Sequence, residues 1–258
     1  MIDFPVEQIY RQIRNCRCKK PGGMKTQLFF QNQFIFVHFA TMFDDYSEYD
    51  CETTETTANE AKMSGKLHTI KENRFTTWLG NTVYKMIGWK VEGHIPESVR
   101  KAVIIVAPHT SNWDFPVGLF ASFALGLSGH WVGKHTLFRW PFGGLMRWLG
   151  GIPINRRKSK NFVSQAADYF KQYENFRLVI APEGTRRKTT KWKSGFYHIA
   201  KEATVPIVCA FIDFRRKVSG IGPIIMPSGD LQKDFEKIRD FYLTVGAKRP
   251  ENRGEISL

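Results

Sequence analysis

Two short aliphatic runs set the architecture this chain can adopt. Residues 102–106 read Ala-Val-Ile-Ile-Val, residues 177–181 read Arg-Leu-Val-Ile-Ala, and a third apolar run covers 205–212. Runs of this length, rich in β-branched residues and bounded by Pro, Gly and polar clusters, predict strands buried on both faces. Between them the apolar spacing becomes helical. A helix is expected over 115–127, directly after the first strand. Ser159 is placed to cap a second helix ending near Tyr173, with Phe162, Ala166 and Phe170 on one face. Residues 195–203 repeat the pattern through Phe196, Ile199, Ala200 and Ala203. A turn at Ser219-Gly220 is expected to lead into a strand over 221–226. Asp230 then caps a last helix carrying Leu231, Phe235, Ile238 and Tyr242. Strands alternating with helices predict an α/β domain: a mixed β-sheet flanked by helices.

The polar groups with chemical potential follow the strands, where open α/β sheets place their sites. The first strand runs into Ala107-Pro108-His109-Thr110-Ser111-Asn112-Trp113-Asp114. On one continuous helix, residues five apart would lie roughly 140° apart, given ~100° per residue. For His109 and Asp114 to meet, the backbone between them must turn, and Pro108, Thr110, Ser111 and Asn112 suit a turn. Asp114 would then fix the His109 tautomer, leaving the other ring nitrogen as a general base. The second strand leads to Glu183-Gly184-Thr185-Arg186. Here Arg186 can pair phosphate oxygens bidentately, and Gly184 permits close backbone approach. Either motif alone is compatible with a solvated turn.

In chain order, these segments resemble the glycerophospholipid acyltransferase superfamily, and within it the 1-acylglycerol-3-phosphate acyltransferases. The resemblance spans roughly residues 78–242. It rests on His109-x4-Asp114, on Gly151-Ile152-Pro153-Ile154-Asn155-Arg156, on Glu183 to Arg186, and on Val205-Pro206-Ile207-Val208. Lys134-x2-Leu137-x3-Pro141-x2-Gly144 looks like the family's intermediate block. Pro108 stands where many members have Asn, and Trp192 where many have Phe; neither change removes a group the chemistry needs.

The resemblance implies acyl transfer from a thioester, carried by coenzyme A or acyl carrier protein, to a hydroxyl of a lysophosphatidic acid or similar glycerolipid. It implies His109 as base, Asp114 as its orienting carboxylate, and no covalent acyl-enzyme. Glu183, Gly184, Thr185 and Arg186 would hold the acceptor, with Arg156 and Lys134 adding positive charge. Phe115, Leu119, Phe138 and Trp140 are candidates for an acyl channel, or equally for ordinary core. No tightly bound cofactor is expected.

Charge is distributed unevenly. Residues 1–62 carry a net −2 and residues 63–258 a net +16, a balance that suits anionic lipid, phosphorylated substrates or nucleic acid. A basic nucleic-acid-binding protein is the principal alternative. Its seven tryptophans could stack on bases, but the aromatics lie mostly at core spacing and no nucleic-acid motif is present. A catalytically silent membrane-surface protein of the same fold is the second alternative, and nucleic acid is not expected as a partner. The four cysteines form neither a disulfide framework nor a metal-ligand spacing; Cys209 reads as a buried small hydrophobe. The sequence shows no phosphate-binding loop, dinucleotide fingerprint or nucleophile elbow.

Three regions follow. Residues 1–65 read as a poorly ordered extension or a start assigned too far upstream, 66–246 as the acyltransferase-like domain, and 247–258 as a charged, frayed tail. Over 73–89, Phe75, Trp78, Leu79, Val83, Met86 and Ile87 recur at helical intervals. This stripe fits an N-terminal interfacial helix or a helix packed on its own core in equal measure. No run reaches the ~20 apolar residues needed to cross a bilayer. The expected location is therefore cytoplasmic, peripherally associated with an anionic membrane surface.

Overall fold

The computed structural model describes Leu67, residues 72–154 and residues 162–258. The readings of residues 1–65, of the Ser159 cap and of Arg156 lie outside the described residues. Among the described residues, seven strands form one sheet, and helices cover both of its faces. In chain order the elements are α1 (Arg74–Met86), β1 (Lys90–Glu92), β2 (Lys101–Ala107), α2 (Asp114–Ala124), β3 (His130–Lys134), a three-ten turn (His135–Phe138), α3 (Gly143–Trp148) and β4 (Gly151–Ile154). They continue with α4 (Phe162–Gln172), β5 (Phe176–Ile180), α5 (Gly195–Ala203), β6 (Ile207–Asp213), β7 (Val218–Ile225), α6 (Leu231–Leu243) and a three-ten turn (Pro250–Asn252).

The strand order is β1-β7-β6-β2-β5-β3-β4. β2 is parallel to β5 on one side and to β6 on the other, while β6 and β7 form the antiparallel pair. The sheet is thus mixed, as its alternating sequence predicts. Alternate residues of β2 serve opposite cores. Val103, Ile105 and Ala107 join α4, α5 and α6 through Phe170, Phe196 and Tyr242. Ala102 and Ile104 face the other side with Val208 and Ile221, the side on which Val117 and Ala121 of α2 meet Tyr84 of α1. The edges are short. β1 has three residues, exposed at both ends, and β4 reads Gly-Ile-Pro-Ile with Pro153 exposed.

α1 buries Gly80 and Tyr84, two residues outside the expected stripe. Gly80 packs so closely on α2 that a Cβ there would lie 2.4 Å from the Ala124 nitrogen. One turn on, the buried Tyr84 hydroxyl pairs with the Val117 carbonyl and Ser219 Oγ, each at 2.9 Å. Phe75, Trp78, Met86 and Ile87 remain exposed.

Two expectations are corrected. The β6–β7 turn falls at residues 214–217, not at Ser219-Gly220. The Asp213 carboxylate accepts the N–H groups of Arg215 and Arg216, each at 3.0 Å, and closes the turn itself. Ser219 and Gly220 belong to β7, where a Cβ on Gly220 would strike the Glu92 carbonyl of β1 at 2.1 Å. The segment after Ala247, expected to fray, is docked instead. Ile256 is buried, the Trp192 N–H donates to the Ser257 carbonyl at 2.7 Å, and the Arg253 guanidinium donates to the Val245 carbonyl at 2.8 Å.

Candidate active site

Both motif loops leave the carboxyl ends of neighbouring parallel strands, β2 and β5, whose register aligns Ile105 with Ile180. That shared edge brings residues 74 positions apart into contact. In the first loop, the backbone turns between β2 and α2 as the spacing requires. Asp114 opens α2, where a carboxylate is favoured by the helix dipole. Its Oδ2 lies 3.1 Å from His109 Nδ1 and also accepts the N–H groups of Thr110 at 2.8 Å and Ser111 at 2.9 Å. Asp114 is 4% exposed, so this carboxylate is held by protein groups rather than water. With Nδ1 donating to it, the neutral imidazole keeps its lone pair on Nε2, and the His109 side chain is 28% exposed. Asp114 Oδ1 is buried without a hydrogen-bond partner among the described residues.

Glu183 enters the same site from β5. Both of its oxygens lie 3.1 Å from the His109 backbone nitrogen and accept its N–H. The Glu183 carboxylate, expected to help hold an acceptor, is buried against the His109 loop. Burial pushes its pKa up from 4.5 to about 7, partly opposed by the His109 N–H and by the charges of His109 and Arg253, while Asp114 raises it further. Gly184 follows at φ +65, a left-handed conformation that disfavours any side chain. A Cβ there would also meet the Lys193 side chain at 3.1 Å. Thr185 Oγ1 accepts the Arg187 N–H at 3.2 Å. The half-buried Arg186 donates through Nη1 to Asn112 Oδ1, so the guanidinium and the His109 loop share a contact.

Lys134 closes β3, two strands from β2, and is exposed. Arg187, Lys188 and Lys191 form an exposed basic loop beyond Arg186. Of the channel candidates, Phe138 is buried and stacks on Trp131, which in turn meets Phe115 edge-on at 4.8 Å. Trp140 is 73% exposed. His130 is buried against Phe176, and that burial lowers its pKa to about 4. Cys209 is buried within β6, as its apolar surroundings predict.

Several neighbours of the site escape sequence reasoning. Asn112 reads as a turn former, and only the fold places it against Arg186. Lys193 stands beside Gly184, and Asn252 and Arg253 arrive from a stretch whose charge suggests disorder. No local pattern marks any of these contacts, because each depends on two distant segments meeting.

Residues 90–213 match the Acyltransferase family model. The matched segment contains both motif loops and the strands that carry them. Among solved structures, the chain is similar to the 1-acyl-sn-glycerophosphate (LPA) acyltransferase PlsC from Thermotoga maritima, with 21% sequence identity and a TM-score of 0.46 over 64% of this chain and 73% of that one. No curated protein matches the sequence.

Proposed function

We infer that this protein transfers a fatty acyl group from a thioester of coenzyme A or acyl carrier protein to a hydroxyl of a lysophosphatidic acid or similar glycerolipid. The observation that carries this reading is the buried Asp114 carboxylate holding His109 by Nδ1 at 3.1 Å. A histidine so oriented takes the acceptor hydroxyl proton on Nε2 as the alkoxide oxygen bonds to the thioester carbonyl. The carbon–sulfur bond then breaks, and the sulfur leaves as thiolate or takes up that proton. Asp114 stabilises the imidazolium formed in passing. Since the acceptor itself attacks, no serine or cysteine nucleophile is required.

Arg186, steadied by Asn112, is the group suited to the acceptor's phosphate, with Gly184 and Thr185 shaping the loop beside it. Arg156 and Lys134 add positive potential. Glu183 acts from behind the base by fixing the His109 backbone.

The membrane surface is the partner that fits the exposed apolar side chains. α1 presents Phe75, Trp78, Met86 and Ile87, and the α3 region presents Trp140, Leu145 and Trp148. α1 packs on α2 through Gly80, and Phe115 of α2 meets Trp131 of β3. Among the described residues no helix is long and apolar enough to cross a membrane. Contact from one side, aided by the net +16 of residues 63–258, suits a lipid-modifying enzyme. The deciding experiment incubates purified protein with lysophosphatidic acid, glycerol 3-phosphate and other lysophospholipids, each with both thioester donors. Mass spectrometry should reveal an acylated glycerolipid; no product from any pairing would end this reading.

A further inference from the structure

The segment from Arg249 to Leu258 touches both motif loops. Near its start, the Arg249 N–H donates to Thr110 Oγ1 at 3.2 Å, and Asn252 Nδ2 donates to the Thr110 carbonyl at 3.4 Å. Thr110 is only 1% exposed and adjoins His109, while its own N–H is given to Asp114. This residue is thus held from both sides. Near the other end, the Ser257 carbonyl accepts the Trp192 N–H and Ser257 Oγ donates to the Thr190 carbonyl, each at 2.7 Å. Gly254 lies so close to Thr189 that a Cβ would fall 1.8 Å from its carbonyl oxygen. In the middle, the Arg253 guanidinium caps the end of α6 through the Tyr242 and Val245 carbonyls.

We propose that residues 249–258 form a strap that sets the His109 loop against the Glu183 loop, with Asn252 and Arg253 as positioning residues for the reaction. The catalytic part of this proposal rests on the acyltransferase reading; the mechanical part does not. The hydrogen bonds of the strap fall on Thr110 and on the 189–192 stretch, as well as on the helix it caps. A segment that served packing alone would have no need to grip the residue after the base. Arg253 also carries a positive charge that acts on the buried Glu183, together with His109 and against Asp114. The Tyr242 hydroxyl also acts there, kept protonated by its burial first and then by Cys209 and Glu183, while Asp213 and Arg215 act on Arg253 itself. Ionised Glu183 is the form that best accepts the His109 N–H, so Arg253 favours the arrangement in which the base is held.

The test uses the full chain with Asn252→Ala, Arg253→Gln or Arg253→Lys. Hydrogen exchange should be roughly fivefold faster over residues 107–114 in Asn252→Ala, as loss of one neutral hydrogen bond implies, while β5 and β6 stay protected. In acyl transfer to lysophosphatidic acid, Arg253→Gln should lower kcat about tenfold with KM little changed. Its activity should also fall away at a higher pH on the acid side, because Glu183 keeps its proton longer. Arg253→Lys should return that acid limb towards its original position. Exchange over 107–114 as slow as in the parent, or accelerated evenly across the sheet, would overturn the strap. Indistinguishable pH profiles for Gln and Lys would overturn the role of Arg253. Should the parent protein transfer no acyl group, the acyltransferase reading fails, while the exchange measurement still decides whether the strap exists.

Discussion

At the scale of single residues, the site depends on carboxylates that face inward. Asp114 spends Oδ2 on the His109 ring and two backbone N–H groups, so His109→Ala and Asp114→Asn affect different things. On the proposed acyl-transfer mechanism, the first removes the base; the second keeps its shape but weakens the orientation and charge compensation of the ring. Both variants should melt cooperatively, and each should lose ~10²–10⁴-fold in turnover, read by initial rates beside thermal unfolding followed by circular dichroism. Full acyl transfer by a folded His109→Ala protein would end this mechanism. Arg186 gives a separable prediction. Removing a charge-assisted contact costs ~1.5–3 kcal/mol, so Arg186→Ala should raise KM for phosphate-bearing acceptors about tenfold or more. Lysine should restore only part of this, because a point charge cannot reproduce the guanidinium fork. Identical acceptor titration curves for all three proteins would remove the phosphate-binding role.

At the scale of elements, α1 separates anchoring from exposure along one helix. Trp78→Ser together with Phe75→Ser should weaken binding to anionic vesicles while barely moving Tm, since both side chains are at least 60% exposed. Gly80→Ala should do the reverse to stability, because its methyl group would meet the α2 backbone. Vesicle sedimentation and thermal melts distinguish the two, and unchanged sedimentation of the double variant would exclude α1 as the lipid-facing element.

The apolar stripe was legible in the sequence, but the packing of Gly80 and Tyr84 was not, because that depends on where α2 lies. The same distinction runs through the fold. β2, β5, β6 and α5 emerge from composition and spacing, since burial on both faces leaves a local signature. β3 opens with a histidine and contains a glycine, and β1 has three residues, two of them charged, so neither presents a strand-like run. They exist because neighbouring strands offer them hydrogen bonds. In the site, the His109–Asp114 turn could be argued from the local sequence between Pro108 and Asp114, whereas the Glu183–His109 link required the β2–β5 register. The docked stretch after Ala247 was hidden for a further reason. Arginines that cap carbonyls and act on a buried carboxylate are indistinguishable, in sequence, from arginines in water.

At the scale of the whole molecule, Glu183 links stability to pH. Its pKa in the fold is about 7, against an ordinary 4.5. Between those values the folded protein keeps a proton that the unfolded chain has released. This contribution is therefore full below about pH 4.5 and is lost as the pH rises through 7. Glu183→Gln cannot ionise, so its Tm relative to the parent should climb between those limits; a flat difference would show that Glu183 is not the group responsible. A protein beginning at Met63 should retain activity and bind anionic vesicles more weakly at high salt; a folded but inactive product would assign chemistry to the earlier residues. The two ends of the sheet bear on a different matter, the behaviour of many copies crowded on one surface. Strands with open edges recruit each other, and such contacts grow with local concentration. Here one border is a three-residue strand carrying the Glu92–Arg216 ion pair, and the other holds a proline with no N–H to offer. Molecules gathered at high density should therefore remain colloidally independent, and Pro153→Val, which adds a donor to that border, should shorten the lag before turbidity appears.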